Sequence, residues 1–373
     1  MKKSILINTI PLLAPLTGIG RYIWEICSRI DKNYVECSDF EFKYYYGFLT
    51  KKLILQKDVK QLFHPVIRKY LKKVIYKASN LFFSKRCDLY WEPNNVPMDL
   101  FKPKKIVTTI HDLSVFLYPH WHPKERVIFF NENKKNINKS DLIITVSNYI
   151  KNEIMEYFKI KEERIKVIYL GYYKSFRAIE KEKLSSLFNK YNVNFKFILF
   201  VGSVEPRKNL KNVILAYSNL PEKYKREYKL LIVGFKGWEN SQVMELINKD
   251  KNIKYLGYVD DETLAYLYDK ASIFLYPSLY EGFGLPPIEA MACGCPVIVS
   301  NVASLPEVCG DAALYVSPDD IDNINHAIQL LLDDSNLREE LVKKGVKRTK
   351  RFSWDKCAQE HIRAFKKVMD NEF

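Results

Sequence analysis

The chain has 373 residues, of which 47% are hydrophobic and 14% aromatic, so it can bury a large core. Its length favours two domains. No apolar run reaches the roughly 20 residues that span a bilayer, and the N-terminus lacks a signal peptide's long apolar region and cleavage site. We therefore expect a cytoplasmic globular protein. The net charge of +15 indicates an anionic partner, such as nucleic acid, anionic lipid or a phosphorylated small molecule.

Short apolar runs alternate with helical patterns in the first half of the chain, which is typical of a parallel sheet covered by helices. Helices are predicted at Arg21 to Ile30 and at Asn148 to Phe158, the second with Ser147 as its N-cap. Strands are predicted at Ser4 to Ile10, Phe42 to Phe48, Asp88 to Pro93, Lys105 to Ile110, Asp141 to Val146 and Lys166 to Leu170.

A basic stretch interrupts this pattern at residues 51 to 86. It holds eleven Lys or Arg against one acid, Asp58, and interleaves them with apolar and aromatic residues. Such a segment can lie on an anionic membrane surface. A solvated helix that packs its apolar stripe on its own domain explains the pattern equally well. Both interpretations stay open at this point.

A second series of strands follows an irregular, charge-rich linker between Gly171 and Asn194. One of its helices is predicted at Asp261 to Lys270, and an amphipathic helix closes the chain at Phe352 to Val368. Its strands are predicted at Phe195 to Gly202, Tyr228 to Gly234, Asn252 to Gly257, Ser272 to Pro277, Cys295 to Ser300 and Ala312 to Ser317. We expect ligands at the carboxyl ends of such strands.

Seven scattered cysteines complete the composition. The only close pair, Cys293 and Cys295, is separated by one residue rather than the two of a redox or zinc CxxC motif. We therefore expect reduced, mostly buried thiols.

The strongest functional signal is EGFGLPPIEA, which begins at Glu281 directly after a strand. Consecutive prolines are tolerated in a first helical turn, so a helix is predicted to begin near Leu285. Its amides and positive dipole end favour an anion or a hydroxyl-rich group. Glu289 falls about one turn inside this helix. Two carboxylates eight residues apart can therefore contact two parts of one elongated ligand.

This element resembles the EX7E signature of retaining GT-B glycosyltransferases, in particular glycosyltransferase family 4. Further similar segments are FVGSVEPRKNL, IKYLGYVDDETLAYLYDKASIFLYPS, GCPVIVSNVASLPEVCGDAALYV, TGIGRY, IHD and VSNYIKNEI. The resemblance covers nearly the whole chain. It implies an α/β fold of two Rossmann-like domains facing across a cleft, at residues 1–175 and 195–350. Residues 351–373 would form a helix that returns to the first domain.

The resemblance also implies roles for the residues of the EGFGL element. Glu289 would bind the ribose of a donor nucleotide, and Glu281 would contact the transferred sugar as a catalytic residue. Tyr258 would lie near the nucleobase. The backbone of Gly282, Phe283 and Gly284 would contact the sugar, and that of Leu285 the diphosphate.

The segment SVEPRKNL follows the first strand of the second half. It carries two cations, Arg207 and Lys208. Lys208 matches the family's diphosphate lysine, and charge-assisted contacts to a leaving diphosphate contribute about 1.5 to 3 kcal/mol each. The family's usual arginine after the strand glycine is Ser203 here. Arg207, beside Lys208, is a candidate to replace it, and a surface position is the alternative.

Two elements of the first half complete the predicted site. TGIGRY holds Gly18 and Gly20 but lacks the third glycine of a dinucleotide fingerprint. By resemblance its amides lie near the leaving phosphate or the acceptor, and a simple tight turn is the alternative. His111 ends a strand, where the family places a histidine against the donor sugar. A structural histidine at the strand end is the alternative. Asp112 would orient His111 or cap the turn.

No metal site is apparent, because the six histidines are dispersed and no DxD pair stands at a strand end. We expect metal-independent transfer without a cofactor, in which Lys208 and the helix N-terminus stabilise the departing diphosphate.

The sequence thus predicts a retaining hexosyltransferase that uses a nucleoside-diphosphate sugar, with GDP-mannose or dTDP-rhamnose favoured. Its acceptor would be a saccharide, lipid-linked at the inner membrane face, in surface polysaccharide or lipopolysaccharide assembly. A nucleotide-sugar epimerase or a phosphorylase of the same fold is one alternative. A basic nucleic-acid-binding protein would explain the charge but not the carboxylate pair, so we expect no nucleic-acid partner.

Overall fold

A computed structural model describes residues 2–14, 16, 18–31, 38–55, 86–99, 101–172, 191–238 and 241–372. Residues 56–85 of the basic stretch and residues 173–190 of the predicted linker lie outside this description. Two compact units are present. The first comprises the described residues of Met1–Leu117, Lys124–Gly171 and Ser353–Phe373, and the second those of Tyr118–Pro123 and Tyr172–Phe352.

The first unit is built on a seven-stranded sheet in the order β3-β2-β1-β4-β5-β6-β7. All neighbouring strands are parallel except β2 and β3, which form an antiparallel edge. The strands are β1 (Lys3–Asn8), β2 (Phe40–Tyr45), β3 (Leu49–Thr50), β4 (Arg86–Glu92), β5 (Lys102–Ile110), β6 (Leu142–Thr145) and β7 (Ile165–Val167). The central strands are buried on both faces, as their near-continuous apolar runs require.

Helices cover this sheet, and the last helix of the chain packs against the first. Ser147 caps α4 by accepting a hydrogen bond from the amide of Ile150, as predicted from its position. The helices of the unit are α1 (Gly18–Asp31), α2 (Ser114–Leu117), α3 (Lys124–Asn133), α4 (Asn148–Phe158) and α13 (Trp354–Met369).

The second unit has a six-stranded, fully parallel sheet in the order β10-β9-β8-β11-β12-β13. Its strands are β8 (Lys196–Val201), β9 (Tyr228–Val233), β10 (Ile253–Gly257), β11 (Ile273–Tyr276), β12 (Val297–Ser300) and β13 (Leu314–Val316). The order reverses between β8 and β11, so the loops that follow these two strands diverge at a topological switch point. Open α/β sheets bind ligands at such points.

The helices of the second unit connect these parallel strands and pack against the sheet. They are α5 (Leu210–Ser218), α6 (Glu222–Glu227), α7 (Ser241–Lys249), α8 (Asp261–Lys270), α9 (Leu285–Ala292), α10 (Leu305–Cys309), α11 (Ile321–Asp333) and α12 (Ser335–Thr349). The α8 bounds equal those predicted, and α9 begins at Leu285 as expected.

Every predicted strand is present, with ends that differ by three residues or fewer. The antiparallel β3 was not predicted, because a two-residue edge strand leaves no periodic pattern. Helix α1 begins at Gly18, three residues before the predicted start. Within the described ranges, no helix combines the length and the apolar character needed to cross a bilayer.

Candidate active site

A buried ion pair joins the two strongest sequence motifs of the second unit. Lys208, in the turn after β8, donates from Nζ to Oε1 of Glu281 at 2.6 Å. It also donates at 2.6 Å to the hydroxyl of Tyr276, which itself donates to the same carboxylate oxygen at 2.8 Å. These three polar groups therefore form a closed triangle at the switch point between β8 and β11.

Arg207 belongs to the same cluster, so the alternative that it is a surface residue outside the site is wrong. Its guanidinium donates to Oε2 of Glu281 and to Oε1 of Glu205, both at 3.0 Å. It also donates to the carbonyl of Tyr280 at 3.1 Å. The backbones of the two loops are tied as well, because the amide of Leu279 donates to the carbonyl of Arg207 at 2.9 Å. The cluster thus rests on fixed main chain.

The electrostatics of this cluster keep Glu281 ionised. Burial opposes the charged carboxylate, but Lys208 and Arg207 outweigh it and lower the pKa of Glu281 from 4.5 to about 2. Burial lowers the pKa of Lys208, and the Glu281 carboxylate opposes that shift. Burial followed by the charge of Glu281 raises the pKa of Tyr276, so its hydroxyl keeps its proton. The site is preorganised for charged and hydroxyl-rich ligands.

The loop after Glu281 depends on a glycine. Gly284 has φ of +96°, a left-handed conformation that favours glycine, and it precedes α9. A Cβ atom there would lie 2.6 Å from a side-chain methyl of Leu305. Phe283 is buried edge-on against Phe352, with ring centroids 5.5 Å apart. The chain can therefore turn sharply from Glu281 into the first turn of α9.

Glu289 lies in α9, one turn after its start, and is 7% exposed. The hydroxyl of Tyr268 donates to its Oε2 at 3.3 Å. The Tyr268 ring packs edge-on against Phe274, and Phe274 stacks on Tyr276 of the ion cluster. Continuous aromatic packing thus connects the surroundings of Glu289 with those of Glu281.

Tyr258 follows β10 and is 52% exposed, unlike the buried residues of the ion cluster. Its ring stacks on Phe235, which follows the neighbouring strand β9, with centroids 4.5 Å apart and planes at 20°. This arrangement presents a flat aromatic surface at the carboxyl end of the sheet.

His111 and Asp112 lie at the carboxyl end of β5 in the first unit. His111 follows β5 and donates from Nε2 to the carbonyl of Pro93 at 2.9 Å, since a carbonyl can only accept. Burial lowers its pKa. Its ring packs edge-on against Tyr22 of α1 at 4.6 Å. Asp112 accepts from the amide and the hydroxyl of Ser114, so it caps the turn.

Gly18 and Gly20 both lie in the first turn of α1. Gly18 is exposed, and a Cβ atom added there would meet nothing within 4 Å. Open space at a helix start leaves room for a ligand to approach the backbone. Neither glycine adopts a positive φ, so backbone strain does not require them.

Two polar groups near these sites were not predicted. Tyr276 lies within an apolar strand, where its aromatic ring is typical of a core residue. Glu92 ends β4 and accepts from Asn8 at 2.9 and 3.0 Å and from the hydroxyl of Tyr90 at 2.6 Å. Burial raises the pKa of Glu92 to about 7. Only the pairing of β1 with β4 brings Asn8 and Glu92 together across 84 residues.

Among the described residues, no group of three or more His, Cys, Asp or Glu side chains is placed to hold a metal ion. The polar groups that converge in the second unit are instead the cations of Lys208 and Arg207, the carboxylates of Glu205 and Glu281, and the hydroxyl of Tyr276. Such a set suits the recognition of an anion and of hydroxyl groups.

Comparison with known proteins shows the family of this chain. A family model for "Glycosyl transferases group 1" matches residues 185–348, and one for "Glycosyltransferase Family 4" matches residues 16–173. The chain is 36% identical to the O-antigen chain mannosyltransferase B of Escherichia coli, over 97% of this chain and 99% of that protein. The chain belongs to glycosyltransferase family 4. The predicted recognition and the prediction of a glycosyltransferase enzyme are therefore confirmed.

Solved structures show that this family 4 glycosyltransferase has the GT-B fold. Sucrose-phosphate synthase from Thermosynechococcus elongatus aligns with a TM-score of 0.72 at 19% identity, covering 100% of both chains. Anabaena HepE, solved with UDP and glucose, aligns with a TM-score of 0.69 at 17% identity, covering 98% of this chain and 100% of that one. The predicted fold class is confirmed.

Proposed function

We propose that this glycosyltransferase transfers mannose from GDP-mannose to a saccharide acceptor, with retention of configuration, in the assembly of a surface polysaccharide. The name of the Escherichia coli relative supports mannose over rhamnose among the two donors that the sequence favours. The same name supports a saccharide acceptor of the O-antigen type. The observation that carries the proposal is the buried cluster of Lys208, Arg207 and Glu281.

The charges of the cluster fit a sugar that is linked to a diphosphate. Lys208 and Arg207 would donate to the diphosphate oxygens, while Glu281 would accept from hydroxyls of the sugar. The donor would therefore replace contacts that these side chains now make with one another. The positive end of α9, starting at Leu285, adds to the field at the same place. The backbone of Gly282, Phe283 and Gly284 would line the sugar.

The remaining predicted residues would bind other parts of the donor. Glu289, which Tyr268 orients through its hydrogen bond, would accept from the ribose hydroxyls. The stacked pair of Tyr258 and Phe235 offers a flat surface near the nucleobase. Gly18 and Gly20 would contribute amides near the leaving phosphate, and His111 would contact the donor sugar.

Transfer would proceed without a metal ion. The bond between the anomeric carbon and the phosphate oxygen breaks as the acceptor oxygen bonds to the same face of that carbon. The leaving phosphate oxygen takes the proton of the acceptor hydroxyl, so the products are the glycoside and protonated GDP. Lys208 and Arg207 would stabilise the charge that develops on the leaving group.

Nucleotide binding tests the donor assignment. In a thermal-shift series with GDP, UDP, dTDP and ADP, we expect the largest stabilisation with GDP, because bound ligand stabilises the folded state by mass action. Preferential stabilisation by UDP or dTDP would overturn the GDP-mannose assignment. A transfer assay in EDTA should retain activity, and a large loss would contradict transfer without a metal.

Two further measurements complete the test. NMR of the product should show the same anomeric configuration as the donor, and inversion would refute the mechanism. Glu281→Ala should lower turnover about tenfold or more. Phe195→Ala, at the amino end of β8, is a matched control that should keep near wild-type turnover.

A lipid-linked acceptor would bring the enzyme to the inner face of the membrane. We propose that the basic stretch at residues 51–86 makes this peripheral contact, because it interleaves cations with apolar side chains. Flotation with anionic vesicles at low salt should recover the protein, and neutral vesicles should not. If the protein does not float with anionic vesicles, the membrane contact is refuted, and the assignment of the donor is unaffected.

A further inference from the structure

A short segment of the first half of the sequence packs within the second unit. Residues Tyr118–Pro123 belong to that unit, although the residues on both sides belong to the first. The rings of Tyr118 and Trp121 stack with centroids 4.2 Å apart and planes at 20°. Tyr118 also packs on Tyr280 at 5.5 Å. Tyr280 directly precedes Glu281, so this aromatic pair lies beside the ion cluster.

A second contact fixes the segment to the loop after β9. The indole nitrogen of Trp238 donates to the carbonyl of Trp121 at 2.6 Å, and its ring packs near that of His122 at 6.1 Å. The adjacent Gly237 approaches closely, since a Cβ atom there would lie 2.5 Å from the carbonyl oxygen of Val204. Val204 precedes Glu205 of the ion cluster. The segment is therefore tied to the cluster from two sides.

We name the set of Tyr118, Trp121 and Trp238 the aromatic shelf. All three side chains are partly exposed, whereas Tyr280 beneath Tyr118 is buried. Aromatic rings carry a negative face that attracts polarised C–H groups, and they lose little conformational entropy when they bind. A pyranose ring offers such C–H groups on one face and hydroxyls at its edge. Exposed His120, packed on Trp121, provides a polar group at the border of the shelf.

We propose that the aromatic shelf is a subsite for the acceptor saccharide, which stacks a sugar ring on it beside Glu281. The proposal rests on the glycosyl transfer proposed above and names the part of the site that selects the acceptor. A hydrocarbon chain of a lipid-linked acceptor would also pack on aromatic rings. The polar border favours the sugar, and the experiment separates the two.

The first experiment compares kinetic constants of Trp121→Ala with those of the wild type, using mannose oligosaccharides without a lipid as acceptors. The KM for the acceptor should rise about tenfold or more, as expected when binding contacts alone are lost. The KM for the donor, and donor hydrolysis without acceptor, should stay within about twofold. Trp238→Ala should behave in the same way. Phe195→Ala, also partly exposed but at the amino end of β8, should leave both constants unchanged.

Two results would overturn the subsite. In one, the lipid-free acceptor keeps its KM while only a lipid-linked acceptor loses affinity, so the shelf binds lipid. In the other, donor and acceptor constants change together, so the aromatic side chains only support the fold. Trp121→Tyr, which keeps a ring and the backbone contact to Trp238, provides a milder second variant. Its acceptor KM should fall between those of the wild type and Trp121→Ala.

A binding measurement without donor keeps this proposal distinct from the proposed function. Titration of mannose oligosaccharides should perturb tryptophan fluorescence in the wild type and much less in Trp121→Ala. If the fluorescence change is the same in the wild type and in Trp121→Ala, the subsite is refuted. Binding to the shelf together with absence of any GDP-induced stabilisation would instead refute the donor assignment alone.

Discussion

The buried ion pair of Lys208 and Glu281 can be tested by exchanging Lys208 for methionine and Glu281 for glutamine, singly and together. Both residues are less than a tenth exposed, and the two charged atoms are 2.6 Å apart. Either single variant leaves one charge of the pair buried without this partner. The double variant removes both charges, while Arg207 keeps its contact with Glu205.

The expected magnitude follows from the pKa of Glu281, which lies at about 2 instead of 4.5. Multiplying this difference by about 1.36 kcal/mol gives about 3 kcal/mol of stabilisation of the carboxylate. Removing one partner of a buried pair costs about 3 to 5 kcal/mol. We therefore expect each single variant to lose about 3 kcal/mol of unfolding free energy at pH 7, and the double variant clearly less than the sum.

The sign of the pH dependence provides a further check on the same group. The folded pKa is depressed, so the contribution is fully present above 4.5 and is lost as the pH falls from there towards about 2. In Glu281→Gln this loss should be absent. Acid unfolding curves of wild type and variant should therefore converge as the pH falls through that window.

Denaturant unfolding and a transfer assay separate stability from catalysis. The double variant should recover stability relative to the single variants. Its kcat/KM should stay about tenfold or more below the wild type, because in the proposed function the same charges bind the donor. Lys196 and Glu227 form a matched control pair at 2.5 Å, but both are exposed. Their double-mutant cycle should show much weaker coupling. The reasoning would be refuted if the losses of unfolding free energy at the buried pair were additive, with a coupling energy no larger than that of the control pair.

Three other predictions address the surroundings of the site. Gly284→Ala should lose about 1 to 3 kcal/mol in denaturant unfolding, and Leu305→Ala should rescue only part, because the positive φ remains. Glu289→Gln should weaken GDP binding about tenfold or more in calorimetry, whereas Tyr268→Phe should cost less, and equal affinities would contradict a ribose contact. His361 lies in α13 and hydrogen-bonds at 2.6 Å with the hydroxyl of Tyr22, whose ring packs on His111. Burial lowers the pKa of His361 from 6.5 to about 3, so only the unfolded chain takes up its proton, and stability falls as the pH drops below 6.5. Moving from pH 7 to pH 5 should cost about 2 kcal/mol, and His361→Phe should remove that part of the slope.

The sequence predicted the strands of both sheets because parallel strands buried on both faces are continuous apolar runs between Gly, Pro and polar turns. It also predicted the start of α9 from the prolines after Leu285. The sequence did not predict the strand order, since that order depends on pairing between residues far apart in the chain. The buried pair of Asn8 and Glu92 was therefore missed, although each residue lies within a predicted strand.

The contacts of Tyr276 and of the Tyr118–Pro123 segment were missed for different reasons. An aromatic residue in an apolar strand predicts core packing, and nothing local indicates that its hydroxyl reaches Lys208 and Glu281. The segment carries no helix or strand periodicity, and its flanks belong to the first unit. Its packing on Tyr280 depends on tertiary structure alone.

The departure at Ser203 shows how the structure limits what a motif can imply. The motif position after the strand glycine carries no charge here, yet a guanidinium still reaches the cluster from Arg207, four residues later. Glu205 and the carbonyl of Tyr280 fix that guanidinium, so its direction is set by three acceptors rather than by its place in the sequence. A planar group with five donors suits such fixation better than an ammonium. We therefore propose that the donor site uses a second cation beside Lys208, which this chain supplies from a different position in the same loop.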